Sequence, residues 1–128
     1  MLSSPRHIIL LLIICAFSVT ACQKRQPPLY YYNDYSVSYY AYKKDMSPES
    51  LLKLQQSMEK AIDDSGQSKS GRVPPGMYAN VGYIYLKSGK PQEAVGAFTK
   101  EKNVYPESAH FMDRMIKKVE LTEGVEDE

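Results

Sequence analysis

Seven positions between Tyr78 and Pro106 combine aromatic, small and helix-terminating residues at spacings that predict two packed helices. They are Tyr78, Val81, Gly82, Tyr85, Ala94, Phe98 and Pro106. Because Gly82 and Ala94 lack side-chain bulk, two helix backbones can approach closely, and aromatic rings can fill the space beside them. Pro106 ends the second helix, since proline lacks a backbone N–H. The segment therefore predicts a helical hairpin that needs further helices to cover its apolar faces.

These seven residues resemble the tetratricopeptide repeat, whose roughly 34-residue pattern is W-x2-L-G-x2-Y, then A-x3-F, then P. The best match spans residues 75–108, with Tyr78 in place of tryptophan and Val81 in place of leucine. Glu101 departs from the pattern, because it stands where the repeat usually has a small alanine that packs against the following helix. The resemblance therefore implies a looser or more exposed junction between the second helix and the last one.

Apolar periodicity predicts three further helices. Ser47 and Pro48 supply a capping hydroxyl and a first-turn proline for a helix at 48–63. Its apolar face consists of Leu51, Leu54, Met58, Ala61 and Ile62. A last helix is predicted at about 107–120, whereas 65–76 is predicted to be a surface loop and 122–128 a frayed acidic tail. The expected fold is all-α, a small tetratricopeptide-like bundle of about five antiparallel helices over 30–121.

A tyrosine-rich segment precedes these helices, with seven of the eleven tyrosines between Tyr30 and Tyr42. A helix over about 34–43, capped by Asn33 or Asp34, would place Tyr35, Tyr39 and Tyr42 on one face. A strand is the alternative, since tyrosine is a good strand former. The stripe can pack in the core, which is the simpler interpretation, or form a contact surface. The tyrosines off the stripe, better candidates for contact, are Tyr30, Tyr31, Tyr32 and Tyr40.

The amino terminus carries an apolar run from Ile8 to Val19 that follows Arg6 and His7. The run is shorter than the roughly 20 residues that span a bilayer, and it predicts a secretory signal peptide. The residues that follow, Thr20, Ala21 and Cys22, complete a segment that resembles the lipobox of bacterial lipoproteins.

This resemblance implies a signal peptide at 1–21, a diacylglycerol thioether on Cys22 and a lipidated tether at 22–29. In such lipoproteins the next residue sorts between membranes, and Gln23 favours the outer membrane, facing the periplasm. The alternative is a secreted protein that is cut nearby and keeps a free Cys22.

The mature chain offers little for chemistry. Cys15 leaves with the signal peptide, lipid consumes Cys22, and His110 is the one remaining histidine, which is far short of a metal site or an acid–base pair. Loss of Arg6 reduces 16 basic residues to 15, which equals the 15 acidic ones, so no long-range field attracts nucleic acid. We expect no enzymatic activity, no cofactor, no metal and no small-molecule substrate.

Nearly all of residues 22–121 resembles a family of small uncharacterised proteobacterial lipoproteins. The resemblance rests on the tyrosine-rich start and on "PESLLKL", "VPPGMYANVGYIYLKSGK" and "YPESAHFMDRMIKK". Members tend to be encoded beside a second small lipoprotein and a lipoprotein similar to the curli secretion channel protein CsgG, which implies a protein partner. We expect an outer-membrane lipoprotein that acts as a protein-binding adaptor or assembly factor with a CsgG-like secretion complex. The alternatives are a structural envelope lipoprotein that contacts peptidoglycan or surface polymer, and a pilot lipoprotein for an outer-membrane pore.

The tetratricopeptide register also predicts a binding surface, because the first helix of each pair lines the concave face of such arrays. The residues that point there are Ala79, Asn80, Tyr83, Leu86 and Lys87. If Tyr83 and Leu86 are exposed, they can hold a short peptide or a partner helix. The alternative is that the last helix or the loop covers them.

Overall fold

The computed structural model describes residues 5–7, 9 and 26–126, with side chains described as far as residue 122. Cys15, Cys22 and most of the predicted signal peptide lie outside the described residues. Residues 26–126 form a small all-α bundle, and no residue in this range belongs to a strand. The predicted fold class is thus confirmed. The helices are α1 (Tyr35–Asp45), α2 (Pro48–Asp63), α3 (Met77–Lys87), α4 (Pro91–Val104) and α5 (Ala109–Glu126). Short 3-10 helices lie at Asp64–Gln67 and Pro106–Ser108.

Local signals set most helix boundaries. The Ser47 hydroxyl accepts a hydrogen bond from the backbone N–H of Ser50 at 3.1 Å, and Pro48 is the first residue of α2. Gly89 follows α3 in the left-handed conformation at φ +69°, as expected for a residue that ends a helix. Pro106 follows the end of α4. These boundaries confirm the predicted helix at 48–63 and the predicted end of the second hairpin helix before Pro106.

The tyrosine-rich segment forms a helix, α1, and not a strand. Asp34 occupies the N-cap position without a side-chain hydrogen bond to the helix, and Asn33 donates instead to Asp64 at 2.8 Å. Asp34 thus lies at one of the two predicted cap positions, but neither predicted side chain caps α1, and the Asn33 amide instead ties the start of α1 to the end of α2. Tyr35 and Tyr42 pack half-buried against the core, whereas Tyr39 is 44% exposed. The stripe thus serves partly as core and partly as surface.

Helices α3 and α4 are antiparallel. Near the start of α3, the Lys100 ammonium lies 5.8 Å from the centre of the Tyr78 ring. At the other end, the backbone N–H of Lys90 donates to the Tyr85 carbonyl at 2.9 Å. Gly82 lies between these ends, where an added Cβ would come within 2.7 Å of the Phe98 ring. The close approach expected from the small residue is present.

Two buried clusters form the core. The first joins α2, α3 and the α2–α3 loop, and consists of Leu54, Met58, Ala61, Val73, Met77, Val81 and Ile84. The second joins α4 and α5, and consists of Ala94, Phe98, Met112 and Val119. Tyr85 packs against both clusters, so it links the two halves of the bundle.

The sequence predicted a surface loop at 65–76, but part of this α2–α3 loop is buried. Val73 and Pro74 are buried, and the Tyr105 hydroxyl donates to the Val73 carbonyl at 2.5 Å. The Arg72 guanidinium lies 4.6 Å from the centre of the Tyr105 ring and donates to the Val104 carbonyl. The loop is thus docked on the carboxyl end of α4, and it contributes to the core.

The expectation of an exposed junction at Glu101 is wrong, because this side chain is buried. It is 2% exposed, and its carboxylate accepts hydrogen bonds from the backbone N–H of Gly76 at 2.7 Å and of Ala79 at 3.3 Å. These amides lie at the start of α3, where the N-cap residue is a glycine without a capping side chain. A negative charge at a helix amino terminus is favourable. Glu101 therefore caps α3 from α4.

The last helix also differs from its prediction. Residues 106–108 form a 3-10 turn, so α5 begins at Ala109 and not at 107. The helix extends to Glu126, into the segment that was expected to fray. None of the described helices is long and apolar enough to cross a membrane.

Alkaline pH should destabilise the fold through Tyr85. Burial, and next the hydrogen bond that its hydroxyl donates to Glu59 at 2.8 Å, raise the pKa of Tyr85 to about 12. An unfolded tyrosine titrates near pH 10. The stabilising contribution is therefore complete below about pH 10 and is lost as the pH rises towards 12.

The test is the free energy of unfolding in urea at several pH values between 9 and 12. Tyr85→Phe should flatten the alkaline loss of stability relative to the unmodified protein, and Tyr83→Phe, at an exposed position, serves as the control. Equal pH slopes for the unmodified protein and Tyr85→Phe would contradict the assignment.

Candidate functional site

A groove runs between α1 and α3 on one face of the bundle, and we call it the α1–α3 groove. Its α1 wall consists of Tyr35, Tyr39, Tyr42 and Lys43, and Met46, which directly follows α1, also lines the groove. Its α3 wall consists of Asn80, Tyr83 and Lys87. The groove encloses about 320 Å³. Four aromatic rings thus face a cavity of a size that accepts side chains from another molecule.

The bottom of the groove is apolar. Leu54, Met58 and Ile84 are each buried in the first core cluster and also line the groove, together with Leu51 of α2. This floor has no hydrogen-bonding side chain, so it favours aliphatic or aromatic groups over heavily hydroxylated ones. The rigid core beneath it keeps the walls in place.

Neighbouring tyrosine rings contact one another at the start of the α1 wall in a tilted arrangement. The ring centres of Tyr35 and Tyr39 are 5.9 Å apart, and those of Tyr32 and Tyr35 are 6.2 Å apart, within the range of favourable aromatic contacts. Burial raises the pKa of the Tyr35 hydroxyl above its ordinary value. The Asn80 amide makes a long hydrogen bond of 3.5 Å to that hydroxyl and joins the two walls.

The charged side chains that line the groove are both cationic. Lys43 ends the α1 wall and Lys87 ends the α3 wall, and no acidic residue is among those that line the groove. The Lys87 ammonium lies 5.3 Å from the centre of the Tyr83 ring, close enough for a cation–π contact. The groove is therefore aromatic along its length and positively charged at one end.

The predicted binding residues are divided between two faces of α3. Asn80, Tyr83 and Lys87 line the α1–α3 groove, and Tyr83 is 50% exposed. Ala79 and Leu86 instead pack against the second core cluster, on the side that α4 and α5 occupy. Neither α5 nor the α2–α3 loop lines the groove.

The α1 wall was absent from the predicted site. The helical spacing of Tyr35, Tyr39 and Tyr42 indicates that they share one face of a helix. It does not indicate which other helix forms the opposite wall of a groove. Among the tyrosines predicted to be off the stripe, Tyr40 is 73% exposed. Tyr30, Tyr31 and Tyr32 line a separate hollow beside the start of the domain.

The chain that leads into the domain is held by the α2–α3 loop. The backbone N–H of Lys69 donates to the Pro28 carbonyl at 2.8 Å, and that of Ser70 donates to the Leu29 carbonyl at 3.2 Å. The position at which the predicted tether meets the domain is thus fixed.

Acidic residues cluster on the other side of the bundle, between α2 and α4. Glu59, Asp63 and Glu93 line a shallow hollow there with Lys100. Within the described residues, no group of three or more His, Cys, Asp or Glu side chains is arranged to hold a metal ion.

Comparison with known proteins gives one relationship. A family model described as "Domain of unknown function (DUF4810)" matches residues 29–115, about two thirds of the chain. No curated protein and no solved structure matches the chain significantly.

Proposed function

The chain belongs to the family described as Domain of unknown function (DUF4810), and we propose that it is a lipid-anchored adaptor that binds a protein segment in the α1–α3 groove. The observation that carries the proposal is the groove itself, in which four tyrosines and two lysines surround an apolar floor. Tyrosine is enriched at protein interfaces because it combines a large apolar body with a hydroxyl.

We propose that the pairs α1–α2 and α3–α4 are tetratricopeptide-like. The orientation of their first helices supports this, because Tyr35 near the start of α1 contacts Asn80 near the start of α3. Lys43 and Lys87, near the ends of the same helices, line the other end of the groove. Helices α1 and α3 therefore run in the same direction and share one face, as the first helices of consecutive repeats do.

We further propose that Cys22 carries the lipid that holds the domain at the outer membrane, facing the periplasm. The support is the lipobox-like segment that ends at Cys22. Five residues separate it from Pro28, which the α2–α3 loop holds. A chain of this length spans at most about 20 Å. The domain would therefore stay close to the bilayer, where a CsgG-like channel lipoprotein is the proposed partner.

Site-specific photocrosslinking in intact cells tests the proposal. With a photoreactive phenylalanine analogue in place of Tyr83, we expect covalent capture of a discrete protein partner in the membrane fraction. The matched control is the same analogue at Tyr40, which is exposed on α1 but does not line the groove. Mass spectrometry of the same preparation should find the acyl groups on Cys22.

A loss-of-binding variant complements the crosslinking. Tyr39→Ala with Tyr83→Ala should reduce recovery of the partner at least fivefold, because truncation of aromatic anchors typically costs more than 1 kcal/mol each. The fold should be retained, since both side chains are about half exposed and neither belongs to a buried core cluster. Leu86→Ala is unsuitable for this purpose because Leu86 packs in the core. Equal recovery with the double variant and the unmodified protein, or capture of cell-wall fragments alone, would contradict the proposal.

A further inference from the structure

We propose that the occupant of the α1–α3 groove is an acidic amphipathic protein segment, whose apolar side chains enter the groove while Asp or Glu side chains pair with Lys43 and Lys87. This inference rests on the proposed adaptor function. It adds the chemical class of the partner, which follows from the charges around the groove.

The two helices that form the walls present a surplus of positive charge. They carry Lys43, Lys44 and Lys87, against the single carboxylate of Asp45. That carboxylate is already engaged, because it accepts hydrogen bonds from the Ser50 hydroxyl at 2.5 Å and from the Ser47 backbone N–H at 3.0 Å. Asp45 is thus directed towards the start of α2 and does not line the groove.

The two lysines at the end of the groove are available to a partner. The ion pairs among the described residues join Lys53 to Glu49 and Lys102 to Asp113, and neither involves Lys43 or Lys87. Both lysines are exposed, so an incoming carboxylate can reach them without displacing another acidic group. Lys87 is moreover positioned beside the Tyr83 ring, which reduces the freedom that binding would remove.

The charge of the groove is not a general property of the surface. The hollow between α2 and α4 carries Glu59, Asp63 and Glu93 against Lys100, so the two hollows differ in sign. Complementary potentials favour one class of partner and penalise the opposite one. A basic segment would meet repulsion in the α1–α3 groove, whereas an acidic one would be attracted.

The length of the α1–α3 groove suits a short helix of the partner. Helices α1 and α3 each have 11 residues and are therefore about 16 Å long, which corresponds to three turns of a helical partner. Apolar side chains spaced three and four residues apart on that partner would reach the floor of Leu54, Met58 and Ile84. An extended carbohydrate would find no hydrogen-bonding side chain on this floor.

Two synthetic peptides test the charge preference directly. Both are helical, about 14 residues long, with leucines at the same spacing, and their flanking positions carry glutamate in one and lysine in the other. Binding to the full mature protein in detergent is measured by fluorescence anisotropy. We expect the glutamate peptide to bind at least tenfold more tightly, with an affinity that falls as salt is added.

Charge reversal in the protein supplies the matched variant. Lys43→Glu with Lys87→Glu should abolish the preference for the glutamate peptide. Lys60→Glu with Lys117→Glu, at exposed positions outside the groove, should preserve it. If the glutamate peptide binds no more tightly than the lysine peptide, or if both double variants behave alike, the inference is overturned.

The other outcomes separate this inference from the adaptor function. Capture of a partner at Tyr83 through a basic segment would overturn the acidic occupant and leave the adaptor function intact. Displacement of the glutamate peptide by soluble peptidoglycan fragments at lower concentration than by the unlabelled peptide would assign the groove to the cell wall. That result would overturn both.

Discussion

Glu101→Ala is expected to destabilise the domain by about 2–4 kcal/mol, although it introduces the alanine that is usual at the corresponding position of the tetratricopeptide repeat, which the sequence resembles. The reason is that the Glu101 carboxylate accepts hydrogen bonds from the N–H groups of Gly76 and Ala79 in a fully buried position. Its removal leaves two amide donors without a partner, and hydrogen bonds to a charged group are each worth about 1.5–3 kcal/mol. The start of α3 also loses its favourable negative charge.

Urea-induced unfolding checks this expectation, with Glu107→Ala as the matched control. Glu107 is close in sequence but exposed, so its substitution should change the free energy of unfolding by less than about 0.5 kcal/mol. Glu101→Gln retains the shape of the side chain without its charge, and it should lie between the two. A stability of Glu101→Ala equal to that of the unmodified protein would show that Glu101 does not cap α3.

Glu101 illustrates which parts of the fold the sequence predicts and which it does not. The ends of the helices depend on nearby residues, so the Ser47 hydroxyl and the Gly89 backbone conformation could be anticipated from local rules. The Glu101 carboxylate acts across 25 positions of the chain on Gly76. The repeat pattern specifies only the size of the side chain at this position. It gives no information about the backbone N–H groups at the start of α3 that need a hydrogen-bond acceptor.

The burial of part of the α2–α3 loop also depends on contacts between residues that are distant in the sequence. Its Ser, Gly and Pro content is typical of surface loops, and local composition gives no sign that Val73 will be buried. Val73 packs in the first core cluster with residues of α2 and α3, and the Tyr105 hydroxyl, 32 positions away, donates to the Val73 carbonyl. Burial of a loop depends on such distant contacts, which the sequence alone does not specify.

The sequence predicted residues of the α3 wall of the α1–α3 groove but none of the α1 wall. The helical register correctly placed Asn80, Tyr83 and Lys87 on a common face, because that step needs only the period of a helix. It also assigned Leu86 to that face, whereas α4 and α5 cover Leu86 in the structure. The wall that contains Tyr35 and Tyr39 could not be paired with α3 without the tertiary arrangement.

Gly82→Ala should destabilise the domain by up to about 2 kcal/mol, even though alanine is the better helix former. An added Cβ would lie 2.7 Å from Cε1 and 2.9 Å from Cδ1 of Phe98, and 3.2 Å from the Ala94 carbonyl oxygen. Phe98 is fully buried, so its ring cannot move away without displacing other core residues. Overpacking of this kind typically costs about 1–3 kcal/mol and can cost more. It outweighs the gain of about 1 kcal/mol in helix propensity.

Gly96→Ala is the matched control for this substitution. Gly96 lies in the middle of α4, and an added Cβ there would meet no atom within 4 Å. Propensity then acts alone, so this variant should be more stable than the unmodified protein by about 0.5–1 kcal/mol. The two glycine substitutions are therefore expected to have opposite signs in the same urea experiment.

A double-mutant cycle identifies the cause of the loss at Gly82. Phe98→Leu removes the ring atoms that the new Cβ would approach, at the cost of a cavity. If the close contact is responsible, Gly82→Ala should be less destabilising in the Phe98→Leu background than alone, because the two positions are in direct contact. An unchanged cost in that background would instead attribute the loss to the Ala94 carbonyl, and the ring would not be what requires glycine at position 82.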